Sequence, residues 1–237
     1  MRIRIITYNI RKGLGADGRS NMADALAQAL DGQDLDLLMC QEVFHDGRTG
    51  ASQSTEIAEA LGLESYYGAN RFRRVGHHGN TTFSRHQVFK VQNHDISTNR
   101  VERRGALYLR IGVRGRVLHA INVHLGLNAR QRATQIMRVA EIVEACCPET
   151  EPVLLAGDFN DWRRSLDAVI TRELGFQNAF SSAVDDSVRT WPARRPVFPL
   201  DRIYVRNLRS LEVECLRGDP WNELSDHLPL RADLLLP

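Results

Sequence analysis

Ten short apolar stretches constrain the fold of this chain more than any other feature of its sequence. They fall at residues 2–9, 35–41, 80–84, 86–92, 105–113, 117–124, 153–157, 202–205, 211–216 and 228–235, are rich in Ile, Val and Leu, and often alternate apolar with polar. A period of two marks strands with one buried face, and this many strands require a large sheet or two packed sheets. Helix candidates are fewer: residues 20–30, where Ser20 or Asn21 can cap, 53–61, 129–145, and 163–174 with Asp161 as N-cap. In the third, Ile136, Val139, Ala140 and Val143 recur at helical spacing, while Arg130, Arg132, Arg138, Glu141 and Glu144 take much of the remainder. Such a helix lies on a sheet. Two sheets back to back with helices on the outer faces use every element, a layered α/β architecture.

No Pro/Ser/Gly-rich linker and no repeat of about 20 to 50 residues divides the chain. A single domain spanning residues 1–237, and a monomer, are expected. The 31 Lys and Arg nearly balance the 29 Asp and Glu, for a formal charge of +2. That argues against holding nucleic acid by bulk charge, without excluding it as a substrate. Runs such as Leu234-Leu235-Leu236 fall far short of the roughly 18 apolar residues of a membrane span. The N-terminus alternates Arg2, Ile3, Arg4 and Ile5 like a strand rather than a signal peptide. A cytoplasmic location is expected. Cys40, Cys146, Cys147 and Cys215 have neither disulfide-scaffold density nor C-x-x-C spacing and read as reduced, mostly core residues.

The chemistry is signalled at the strand ends. Apolar stretches run into or begin with Asn9, Gln41-Glu42, Asn122-Val123-His124, Gly157-Asp158-Phe159-Asn160 and Asp201, and Ser225-Asp226-His227 precedes the last strand. An ionised carboxylate beside a packed core is costly unless compensated, so the recurrence of such groups points to a shared site. Taken alone, Glu42 is more readily a turn residue and Asn9 a strand-end hydrogen bonder. Gly157-Asp158-Phe159-Asn160 is more specific, because glycine permits a tight exit and two polar groups two residues apart can face one centre. Its ordinary alternative is an Asx turn, a role Asp161 can fill.

The ordered set Thr7-Tyr8-Asn9, Gln41-Glu42-Val43, Gly79-Asn80, Asn122-Val123-His124-Leu125, Gly157-Asp158-Phe159-Asn160, Leu200-Asp201-Arg202-Ile203 and Ser225-Asp226-His227-Leu228-Pro229 resembles the endonuclease/exonuclease/phosphatase superfamily, the DNase-I-like phosphohydrolases. The resemblance runs from residue 7 to 229. It implies a four-layered α-β-β-α sandwich of two packed mixed sheets, with hydrolysis of a phosphate ester assisted by a divalent metal. On that resemblance, Glu42 is the principal metal ligand, with Asn9 near metal and phosphate and Asp226 reaching a second ion. Asp158 orients or deprotonates the attacking water and Asn160 positions it. His124 and His227 donate to phosphate oxygens, Asp201 holds His227, and Asn80 supports the phosphate-binding side. The pattern departs from many DNA-repair members at Arg11, where they carry an acid. Arg11 is either a cation beside the substrate phosphate or part of an exposed basic loop.

Oxygen-only ligands suit a hard ion, so Mg²⁺ is expected, with Mn²⁺ the alternative. Arg71, Arg73 and Arg74, then Arg100, Arg103 and Arg104, then Arg194 and Arg195 fall in or beside predicted loops. They are either solvated faces or the rim of an anion site, and Arg104 can equally form a structural ion pair. No basic–aromatic interleaving marks a single-strand stacking platform. His77-His78 reads as an exposed loop rather than a zinc site. The segment from Val123 to Gln135 looks more like the small bacterial and sphingomyelinase-like members, favouring a small-molecule or lipid head-group ester over DNA or RNA. A silent phosphate-binding module is the remaining alternative, but such a relative is expected to have lost Glu42, Asp158 or His227, and all three are present.

Overall fold

Alternation along β1 (Arg2–Asn9) divides its side chains between two cores: Ile3 and Ile5 face one, Ile6 and Tyr8 the other. The computed structural model describes residues 1–50, 52–181 and 188–237. In the first sheet β1 lies between β12 (Leu230–Leu235) and β2 (Leu37–Asp46). Beyond β12 comes β11 (Arg209–Cys215), and beyond β2 come β4 (Gly76–Ser84) and then β3 (Glu64–Arg73). The second sheet runs in the order β5 (Gln87–Asp95), β6 (Gly105–Val113), β7 (Arg116–His124), β8 (Val153–Asp158), β10 (Asp201–Arg206) and β9 (Gln177–Asn178).

The sheets pack face to face over one core, where Ile5 and Met39 meet Leu109, Leu154 and Ile203. A second core lies between the first sheet and helices α1 (Ala23–Asp31) and α2 (Gln53–Leu61), through Leu26, Leu30 and Ile57. A third lies under α3 (Ala129–Cys146), through Ile136, Val139 and Val143. Each fully buried Leu, Ile or Val contributes about 1.5–3 kcal/mol by leaving water. The result is the four-layered sandwich that the sequence predicts. Each sheet holds one parallel pair, β1 with β2 and β7 with β8, among antiparallel neighbours. Parallel strands end at the same edge, so Asn9 lies beside Gln41 and His124 beside Asp158.

Several predicted elements differ in extent. Strand β2 continues to Asp46 through a register shift between Cys40 and Val43. Strands β3 and β9 and the short α4 (Trp221–Leu224) are not among the predicted elements. Helix α1 begins only at Ala23, because the Ser20 hydroxyl bonds Asp17 and Asn21 accepts from Ala23 N two residues on, leaving Met22 at the N-cap. The predicted helix over 163–174 forms only in its second half, over residues 167–173. Asp161 does cap, accepting from Leu166 N and Ser165 Oγ, but Arg164 takes φ 56°, and the helix starts only behind it and is π-helical over Val169–Glu173.

Candidate active site

Two backbone features bring the strand ends together. At Gly157 φ is 143°, and a Cβ there would lie 1.9 Å from Val123 O, so only glycine lets β8 run this close to β7. Glu42 sits in the β2 bulge with φ 56°, a left-handed conformation that turns its side chain out of the strand alternation. Beneath the site a buried polar network ties the sheets. Asn122 Nδ2 donates to Cys40 O and Thr81 O, both at 3.0 Å, and its Oδ1 accepts from Gln41 Nε2 at 2.8 Å. Asn80 Nδ2 donates to Gly105 O and Asn122 O, each at 3.1 Å. These bonds between the two sheets fix the register between the layers, with Gln41 Oε1 left unpartnered.

Asp158 is at the centre and 1% exposed. One of its oxygens accepts from Asn9 Nδ2 at 3.0 Å, and the other from Asn160 N at 2.9 Å. His124 Nε2 lies 3.3 Å and His227 Nε2 3.9 Å from the first oxygen. Behind His227, Asp201 Oδ2 binds Nδ1 at 2.8 Å. Burial pushes Asp158 up to about 6, with Asp201 adding to the rise and His227 opposing it. Burial lowers His227, but the Asp201 and Asp158 carboxylates outweigh it and raise the imidazole to about 10. His124 is driven well below the ordinary range by burial and by the neighbouring cations, foremost Arg104. At neutral pH the centre therefore pairs one charged with one neutral histidine. Asn160 has φ 50°, and its Nδ2 donates to Leu125 O. Asn9 Oδ1 accepts from Arg11 N, while Ser225 Oγ donates to Asn9 O at 2.7 Å.

Glu42 opens into the same cleft, whose volume is about 750 Å³. Burial opposes its charge, but Lys12 Nζ at 2.8 Å, with His78 and Arg104 nearby, leaves the carboxyl below its ordinary range. The turn carrying Lys12 is left-handed at Arg11 and Lys12, and Gln53 holds it by bonding both Lys12 O and Phe44 N. These residues fit a hard divalent cation: the donors are oxygens, the cleft lining has no sulfur, and the carboxylate already holds an ammonium. Asp158, Asp201 and His227 also bring possible ligand atoms within 4.8 Å of one another. Within that group His227 Nδ1 is committed to Asp201 Oδ2 at 2.8 Å, so only Nε2 of this ring faces Asp158.

Asn9, Glu42, His124, Asp158, Asn160 and His227 all line this cleft. Asp201 and Asn80 stand behind it, Asp201 on His227 and Asn80 in the cross-sheet network. Arg11 and Asp226 are outside the lining and face each other, Arg11 Nε to Asp226 Oδ2 at 3.4 Å. Arg104 lines the cleft and pairs with Glu102 at 2.8 Å. The predicted exposed loop at His77-His78 is instead part of β4. The pleat turns His78 into the cleft with Glu42, and burial lowers it to about 4. Its spacing of two from Asn80 was the available signal. Lys12 is marked only as the cation that follows Arg11 in the basic turn, and Gln53 by nothing in the sequence.

Residues 6–227 match the Endonuclease/Exonuclease/phosphatase family, and the chain belongs to that family of phosphoric ester hydrolases. It is 34% identical over 244 residues to the protein YbhP of Escherichia coli (strain K12), covering 98% of this chain and 96% of that one. Among solved structures, the endonuclease/exonuclease/phosphatase of Beutenbergia cavernae superposes with a TM-score of 0.85 at 19% identity, over 99% of this chain and 72% of the other. The Bacteroides thetaiotaomicron mannosyl-6-phosphatase Bt3783 gives 0.78 at 18% identity, covering 99% of this chain and 100% of that one. Danio rerio TDP2 complexed with a single-strand DNA product gives 0.79 at 17%, covering 99% of each.

Proposed function

We propose that the chain is a Mg²⁺-dependent phosphodiesterase that works by direct attack of water, acting on a small-molecule or lipid head-group ester. The observation that carries this reading is the buried Asp158, oriented by Asn9 and Asn160 and faced by His124 and His227. A carboxylate raised to about 6 is a base matched to neutral pH, so Asp158 takes the proton of the attacking water while Asn160 sets the water's direction. His227, positively charged and braced by Asp201, donates Nε2–H to a phosphoryl oxygen as charge builds there. The neutral His124 offers a second contact to the phosphoryl group, and Asn9 a third through its amide. Glu42 would hold the metal, and the chemistry the ion would supply when bound is neutralisation of charge on the phosphate. Arg11 and Asp226 serve the site from outside, by fixing the turn that carries Lys12.

Relatives of this fold named for a sugar phosphate and for DNA leave the ester open. The apolar side chains Val101, Leu127, Trp162 and Phe198 around the cleft support an ester with an apolar part. Purified protein should hydrolyse bis(4-nitrophenyl) phosphate with Mg²⁺ or Mn²⁺, and lose that activity with EDTA and in Glu42→Gln. Turnover that survives EDTA would sink the metal role.

A further inference from the structure

Exposed apolar side chains are not spread evenly over this molecule. Of the eleven large ones exposed among the described residues, five line the catalytic cleft or its side extension. Val101 is 78% exposed and Leu127 61%, and with Trp162 and Phe198 they line the cleft itself. Phe72, 71% exposed, lines a side extension of about 430 Å³ that shares Arg71 and Val101 with the main cleft. Val75 and Val197 stand within three residues of Phe72 and beside Phe198. Within three residues of each loop's apolar tip is an exposed arginine: Arg74, Arg100, Arg130, Arg163 and Arg195. None of these five guanidiniums meets a carboxylate among the described residues. The acids on this face are neutralised by other cations, Asp95 by Arg103, Glu102 by Arg104 and Glu223 by Arg194.

We propose that this rim is a docking surface for an anionic lipid bilayer, and that the phosphate ester is taken from that bilayer. The inference rests on the phosphodiesterase reading above and supplies its substrate class. Apolar tips interleaved with unpaired arginines are what an acyl boundary beneath negative headgroups recognises. Soluble proteins seldom gather their exposed apolar side chains on one rim without a partner. The tips are held in place: Arg132, itself buried, donates to Leu127 O at 2.7 Å and lies over the Trp162 ring at 5.2 Å. Nucleic acid fits this face less well. Of the three most exposed tips, Val101 and Leu127 have no ring to stack on a base and only Phe72 does, while one face of Trp162 is already covered by Arg132.

The test is sedimentation of the full chain with phosphatidylcholine vesicles, with and without phosphatidylglycerol, in EDTA so that binding is separated from turnover. Wild-type protein should pellet with the phosphatidylglycerol vesicles and be released as salt is raised. Phe72→Ser/Val197→Ser and Arg74→Ser/Arg100→Ser should each weaken partitioning at least about tenfold, with Mg²⁺-dependent hydrolysis of bis(4-nitrophenyl) phosphate unchanged. Wild-type protein left in the supernatant, binding that neither double variant weakens, or displacement from vesicles by a single-stranded oligonucleotide each overturns the inference. Vesicle binding without hydrolysis of the soluble diester leaves the docking surface standing and removes the hydrolase reading. Hydrolysis without vesicle binding does the reverse.

Discussion

Asp201→Asn isolates the charge behind the catalytic histidine while keeping a side chain of the same shape. Asp201 is 2% exposed and binds His227 Nδ1 at 2.8 Å. Burial alone would depress the imidazole, so its rise from 6.5 to about 10 is the work of the carboxylates, Asp201 first and Asp158 second. That net rise corresponds to about 5 kcal/mol at 1.36 kcal/mol for each tenfold in proton affinity, and because burial opposes it the carboxylates together supply more than this, Asp201 the largest share. With the amide in place, burial remains and one carboxylate is gone. The alkaline fall of kcat/KM should then move to lower pH by about two units or more, with the loss severe at pH 8 and small near pH 6. The assay is hydrolysis of bis(4-nitrophenyl) phosphate in Mg²⁺ across pH, with the His227 ring followed by NMR titration. Linkage predicts a matching stability change. A folded pKa raised above 6.5 stabilises the protein fully below pH 6.5, and the stabilisation disappears as pH rises through about 10. The variant should therefore melt lower than wild type at neutral pH and converge with it above pH 10. A uniform loss of rate with the alkaline limb in place would refute the electrostatic argument and leave Asp201 only an orienting role.

Three further outcomes test other parts of the site. Asp158→Asn should lower kcat by about 10²-fold or more with the far-ultraviolet spectrum unchanged, and the wild-type acid limb should lie near pH 6, where this carboxylate gains its proton. A wild-type acid limb below pH 4 would contradict the burial argument. Lys12→Met removes the ammonium 2.8 Å from Glu42, so Mn²⁺ affinity measured by calorimetry should rise several-fold; equal affinity would show that the lysine does not compete with the metal. Gly157→Ala should cost about 3 kcal/mol or more in urea unfolding, since a Cβ there meets Val123 O at 1.9 Å with φ at 143°. A variant of normal stability would mean that β8 can shift away from β7.

The parts of this site legible in the sequence are those that local periodicity reaches. Strands β1, β6, β7 and β8 are apolar enough, by alternation or as a continuous run in β8, to end where predicted to within a residue, and the polar residues that close β1, β7 and β8 fall at the common edge their parallel pairing dictates. Strand β3 escaped because Ser65-Tyr66-Tyr67-Gly68-Ala69-Asn70 has little alternation and its register shifts between Ala69 and Arg71. With β3 unseen, the β3–β4 hairpin was unseen too, and His78 read as loop instead of cleft wall. Glu42 was found by its residue type, but not the left-handed bulge that aims it, because nothing local marks φ 56° at a glutamate. The cations are the harder case. Arg11 and Lys12 are adjacent in one turn, yet one binds Asp226 and the other Glu42, partners 215 and 30 residues away in the chain. Long-range pairing of that kind is created by the closing of the two sheets, so the charge that Glu42 holds is a property of the packed sandwich and not of the strand that ends in it.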